Sequence, residues 1–199
     1  MMKYIKNSLT LSALVNSKMA TDDLHQLETL KEELKDQFGV PVGVHMTGIP
    51  LAVSTLLAIF CYAMVQVSLW LLLFRWLGLA EFKVMMGVFI AAIVYCLIVM
   101  STMFLTTRGS LPGYKLHIFV ITLTGIMSIV YFIWTGISLL IGPVENYTPQ
   151  ITSLLGLVFF CLNIKWMYSS IFYRSIALTL HNRGWLKHLK IEASPTSGL

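Results

Sequence analysis

Four long apolar runs, none of them holding an Asp or a Glu, decide most of what this 199-residue chain can fold into. They lie at about 50–74, 84–105, 117–141 and 150–170. A helix needs about 20 apolar residues to cross the hydrocarbon core of a bilayer, and each run meets that length. In lipid the backbone must satisfy its own hydrogen bonds, so such runs cross as helices. Composition agrees. The chain is 57% hydrophobic and 12% charged, against about 45–50% and about 25% for a soluble domain. One soluble core of this size cannot hide that much apolar surface. The expected fold is all-α, a polytopic four-transmembrane-helix bundle. The short loops between runs make neighbours antiparallel.

Basic residues near the runs give direction. Lys3, Lys6, Lys18, Lys31 and Lys35 precede the first run, Arg108 and Lys115 lie between the second and third, and Arg174, Arg183, Lys187 and Lys190 follow the fourth. These eleven fall on one side, against Arg75 and Lys83 on the other. Both termini are therefore expected in the cytoplasm, and a compact polytopic chain with tiny loops suits a bacterial inner membrane. The formal net charge of +5 sits beside apolar runs. Its expected partners are anionic lipid headgroups and not nucleic acid, for which no RNA-binding, zinc-finger or long basic signature is present.

The segment 1–49 precedes the membrane domain, 50–171, and the segment 172–199 follows it. The first twenty residues have a faint signal-peptide pattern, but the apolar stretch LTLSALV is short and carries hydroxyls, so cleavage is not expected. They read as a short surface helix or a frayed end. Residues 22–38, DDLHQLETLKEELKDQF, form a helix pattern. Asp22 is the expected N-cap, and Gly39 and Pro41 the stop. Leu24, Leu27, Leu30, Leu34 and Phe38 recur at spacings of three and four as one apolar stripe, with Glu28, Lys31, Glu32 and Lys35 opposite. This stripe either packs on its own protein or docks a partner, and it is the candidate partner-binding site. The tail sequence YRSIALTLHNRGWLKHLKIE reads as an amphipathic helix for the headgroup layer, with Gly184 able to break it. The Asn146 sequon lies in a loop so short that it is expected to stay unmodified.

Lys165 sits inside the fourth run. Counted from Pro149, it lies four or five residues from the far end, about 6–8 Å deep at 1.5 Å per residue. A lysine stem spans most of that depth, so Lys165 is expected to snorkel to the interface among Trp166, Tyr168 and Tyr173. Arg174, Trp185 and Lys187 complete the expected membrane-interface set. No run offers a carboxylate to pair with Lys165, which counts against a cation-coupled carrier.

No catalytic, cofactor or metal site is expected. His181 and His188, seven apart, could share a face, but His25, His45, His117, His181 and His188 are all expected to be structural or interfacial histidines. Cys61, Cys96 and Cys161 lie inside apolar runs, where they act as small packing residues. No phosphate loop, nucleophile elbow, zinc-protease or dinucleotide motif is present. Small residues at Ser54 and Ala58, Gly87 and Ala91, and Thr124 and Ser128, with Gly125 and Gly136 beside them, favour close helix approach. Two function classes follow. The first is a membrane protein without enzymatic activity, serving as an interaction, accessory or regulatory subunit. The alternative is a small oligomeric transporter or pore, lined by Lys165, Asn163 and Gln66. A lipid-acting enzyme rests on no motif.

Overall fold

The computed structural model describes residues 3–20, 23–38, 48–80, 83–141 and 146–193. Among them the chain forms seven helices and no strand: α1 (Lys3–Lys18), α2 (Leu24–Phe38), α3 (Ile49–Trp76), α4 (Val84–Thr107), α5 (Leu111–Ile141), α6 (Thr148–Met167) and α7 (Ser170–Ala193). The four helices α3 to α6 are long and apolar enough to cross a membrane. The chain is an all-α, multi-pass membrane protein.

Local chemistry sets the helix ends. α3 and α4 close in the same way. Gly78 donates to the Arg75 carbonyl and Leu79 to that of Phe74; Gly109 donates to the Thr106 carbonyl and Ser110 to that of Leu105. Both glycines are left-handed, with φ of 65° and 71°. This double bond around a left-handed residue satisfies the orphan carbonyls of a helix end, and glycine adopts it without a Cβ clash. α5 starts at Leu111 rather than about 117, because the Ser110 carbonyl and hydroxyl accept from Tyr114 and Gly113, and Pro112 fits a first turn. α6 stops at Met167 rather than 170, since Ser169 caps a new helix through its hydroxyl to the Phe172 amide. α2 is capped by Asp23, whose carboxylate accepts from the His25 amide. The expected cap Asp22 and the stop residues Gly39 and Pro41 lie outside the described residues.

The chain divides into two compact units. The terminal unit holds Met1–Val53, Thr102–His117 and Lys165–Leu199, so it gathers α1, α2 and α7 with the start of α3, the turn between α4 and α5, and the end of α6. The span unit holds Ser54–Ser101 and Ile118–Ile164.

Inside the span unit, polar side chains stitch the helices. Asn163 on α6 accepts from the Ser54 hydroxyl at 2.7 Å and donates to the Ser54 carbonyl on α3 at 3.0 Å. On α4, the Tyr95 hydroxyl donates to the Ala58 carbonyl at 3.3 Å and shares a 2.8 Å bond with Thr124 on α5. Tyr131 on α5 donates to Ser68 on α3 at 2.5 Å, and Thr135 shares a 2.8 Å bond with Ser153 on α6. Without a hydrophobic drive between helices in lipid, such bonds and close packing hold a bundle together. The small residues act as expected in part. The Phe160 ring lies so close over Gly125 that a Cβ there would overlap it, and Trp70 covers Gly87, whereas Gly136 faces open space.

Candidate functional site

The candidate partner stripe belongs to α2, and the structure places it against the chain's own α7. Leu27, Leu30 and Leu34 are buried, Leu24 is exposed at 42%, and the Phe38 side chain lies outside the described residues. Burying three leucines contributes about 1.5–3 kcal/mol each, enough to hold a 15-residue helix that would be marginal alone. As the protein stands, those three leucines are core. What α2 offers outward is its other face, where Glu28, Glu32, Lys35 and Asp36 are exposed.

The tail differs from the expected surface helix. α7 runs unbroken through Gly184, and Ser175, Ile176, Ala177, Leu178, Thr179 and Leu180 are all buried. Six consecutive buried positions span more than a full turn, so the helix is covered on every side. α1 and α2 supply two walls. The turn between α4 and α5 supplies a third: the Arg183 guanidinium donates to the Gly109 carbonyl at 2.8 Å and to Asn16 of α1 at 3.4 Å. Gly184 faces α2, with Lys31 Cγ 3.9 Å from where a Cβ would stand. A Cβ there would make an ordinary contact, and the glycine does not interrupt the helix.

Polar contacts finish the assembly. Lys18 of α1 pairs with Glu33 of α2 at 2.9 Å. Ser8 of α1 shares a buried 2.7 Å bond with Tyr114 of α5, and Tyr173 of α7 donates to Gln37 of α2 at 2.9 Å. α1, read as a surface helix or frayed end, is therefore a docked wall with Ser8, Ser12 and Val15 buried.

The expected membrane-interface residues separate into two groups. Lys165, in the last turn of α6, and Arg174 are exposed. The others are engaged within the terminal unit. Trp166 donates from its indole to the Pro50 carbonyl at 2.9 Å, and Lys187 donates to the Met19 carbonyl. Lys31 sits 4.5 Å over the Trp185 ring, which stays half exposed, and Tyr168 lies half-buried in the turn before α7. The transport candidates also separate. Asn163 is a buried clamp on Ser54. Gln66 is buried, and among the described residues its side-chain oxygen has no hydrogen-bond partner.

His181 stands where α2 meets α7. Partial burial first, and then the neighbouring charges of Lys31 and Lys35, hold its imidazole below the usual histidine range, against a bond with Asn182 that acts the other way. Among the described residues no three His, Cys, Asp or Glu side chains cluster as a metal site.

Tyr95, Tyr131 and Thr135, which carry most of the inter-helix bonds, escaped sequence reading. A signal was present, because Thr124, Ser128, Tyr131, Thr135 and Ser138 follow one another at spacings of four and three on α5.

Fold and site together define a helical multi-pass membrane protein with a packed terminal unit built around its last helix. No protein-family model, curated protein or solved structure matches the chain.

Proposed function

We propose that this protein works by binding another protein through its terminal unit, as a non-enzymatic accessory or regulatory subunit of a membrane process. The observation that carries this reading is the enclosure of α7 by α1 and α2. A bundle that only conducts solute needs short loops; this chain builds a second folded unit with its own core. That core presents the acidic outer face of α2, and six of the nine Asp and Glu of the chain lie in residues 22–36. Twelve of the fourteen Lys and Arg belong to the terminal unit, so the positive-inside rule favours that unit, with both termini, in the cytoplasm; the compact, short-looped spans suit a bacterial inner membrane. Acidic side chains there are repelled by anionic lipid, which turns α2 towards water and a partner.

The test is gentle affinity purification from native membranes, with partner identity and complex mass read together. The expected result is a different protein held in fixed ratio. It should be lost when Glu28, Glu32 and Asp36 are all changed to Lys, a variant that leaves the leucine core intact. A pure homo-oligomer from both proteins would overturn the reading.

That outcome would favour the second reading, a small oligomeric transporter or pore. Its support is two buried polar atoms on α3, the Thr55 hydroxyl and the Gln66 side-chain oxygen, which have no hydrogen-bond partner among the described residues; internal water would bind there. Flux in proteoliposomes that falls in Gln66→Leu and is unchanged in Lys165→Leu would place the path along α3 and leave Lys165 as an interface anchor.

A further inference from the structure

The span unit holds a cavity of about 650 Å³ where α3 and α5 end and α6 begins. Its size is that of a small-molecule site, about 300–1,000 Å³. The lining is ordered along its length. Arg75 stands in the last turn of α3, with Asn146 and Gln150 at the start of α6. Leu72, Val130 and Trp134 form apolar walls. Deeper in, Ser68, Tyr131 and Thr135 present hydroxyls, and Ser138 adds one nearer the mouth. Ser68 is seven residues before Arg75 on α3, a depth of about 10 Å at 1.5 Å per residue.

A soluble metabolite does not suit this order. A cationic fork at the membrane edge, hydroxyls within reach of it and an apolar wall facing lipid match the parts of one molecule class. We infer that the cavity binds an anionic phospholipid from the leaflet in which α3 ends. The phosphate lies at Arg75, the glycerol portion packs beside Ser138 and Thr135, whose hydroxyls donate to the backbone carbonyls of Thr135 and Phe132, and the upper acyl chain runs along Leu72, Val130 and Trp134. A guanidinium has five N–H donors in a planar fork and can hold a phosphate while serving other partners. The amino end of α6 adds the positive end of its dipole on the same side. The hydroxyls are already ordered, since Tyr131 donates to Ser68 and Thr135 bonds Ser153, so little further side-chain freedom is lost on binding. This site does not depend on the partner reading.

The test is native mass spectrometry of the full chain in mild detergent, with added phosphatidylglycerol, matched diacylglycerol or glycerol phosphate. Phosphatidylglycerol should be retained and diacylglycerol not. Arg75→Gln should weaken retention about tenfold, as loss of a charge-assisted bond does. Ser138→Phe, which fills the cavity and leaves Arg75 in place, should weaken it comparably. Phe119→Leu, on the exposed outer face of α5, should not. A photoreactive acyl chain should label residues between 68 and 75 and between 130 and 138. Equal retention by wild type and Arg75→Gln, with labelling spread over all four spans, would overturn the site and leave only a lipid annulus. Displacement of the lipid by equal glycerol phosphate would overturn the lipid assignment in favour of a soluble anion. Should Ser138→Phe fail to fold, Arg75→Gln and the labelling map carry the decision, because Arg75 is exposed at a helix end.

Discussion

Asn163 grips Ser54 twice, accepting from its hydroxyl at 2.7 Å and donating to its backbone carbonyl at 3.0 Å. Both residues are buried, 109 positions apart in sequence, and the pair joins the first span to the last. An amide in a span invites a transport role; here its donor and acceptor are both occupied by one neighbour.

Asn163→Leu should therefore weaken the bundle. Inter-helix hydrogen bonds in membrane proteins average about 0.6 kcal/mol and reach about 1.7, and a two-bond clamp belongs near the upper value. Unfolding titrations in mixed micelles would check this, and a double-mutant cycle with Ser54→Ala should return most of it as coupling. Additive losses would show that the two residues act separately.

Gly125 lies under the Phe160 ring with no room for a Cβ. Gly125→Val should destabilise the span unit by about 1–3 kcal/mol, the range for overpacking. Phe160→Ala in the same chain should return part of the loss by clearing the space. Thermal unfolding of the three variants in detergent decides the point. A Gly125→Val protein as stable as the parent would mean that α5 and α6 do not approach this closely.

Leu30 is 1% exposed between α2 and α7. Leu30→Ala should cost about 2–5 kcal/mol at that contact, as buried leucine truncations do. Because the loss falls on one helix pair, it should appear in hydrogen exchange as lost protection of α2 amides, with those of α5 unchanged. Leu24→Ala, at the exposed end of the same stripe, should change exchange little.

His181 should make the docking of α2 pH-dependent. Its folded-state pKa is lowered, by burial first and then by Lys31 and Lys35. Unfolded or undocked, it titrates near about 6.5. Below that value the undocked state binds the proton more readily, so docking is strongest above about 6.5 and weakens as pH falls towards the lower folded value. The protection factors of α2 amides, that is exchange corrected for its intrinsic pH dependence, should fall from neutral to mildly acidic pH, and His181→Gln should flatten that profile. The same fall in His181→Gln would assign it to other groups.

How much was legible depended on the kind of pattern each element left. The four spans were plain, because crossing lipid demands an uninterrupted apolar length that nothing else in a small protein needs. α2 was plain too, since its leucines recur at three and four with charges opposite. α7 was misread. Its basic residues and Trp185 suggested a helix on the headgroup layer, while the structure encloses residues 175–180 on all sides. The sign was there in SIALTL, six residues without a charge, but a helix covered all round leaves no one-sided stripe to count. On α5 the spacing of Thr124 and Ser128 reads as small-residue packing, and the hydroxyl series that runs on to Ser138 gains meaning only once its partners on α3, α4 and α6 are in place.

The amino-acid sequence by itself determined that this is a helical protein of four spans, where those spans lie, and which helices carry charge, because each follows from local length and periodicity. Tertiary structure decided what the helices meet. It turned the leucine stripe inward onto α7, carried α7 unbroken through Gly184, closed Asn163 onto Ser54, and set Arg75 and Ser138 around one cavity. Those outcomes depend on residues tens to more than a hundred positions apart arriving at one place, and no local spacing encodes that.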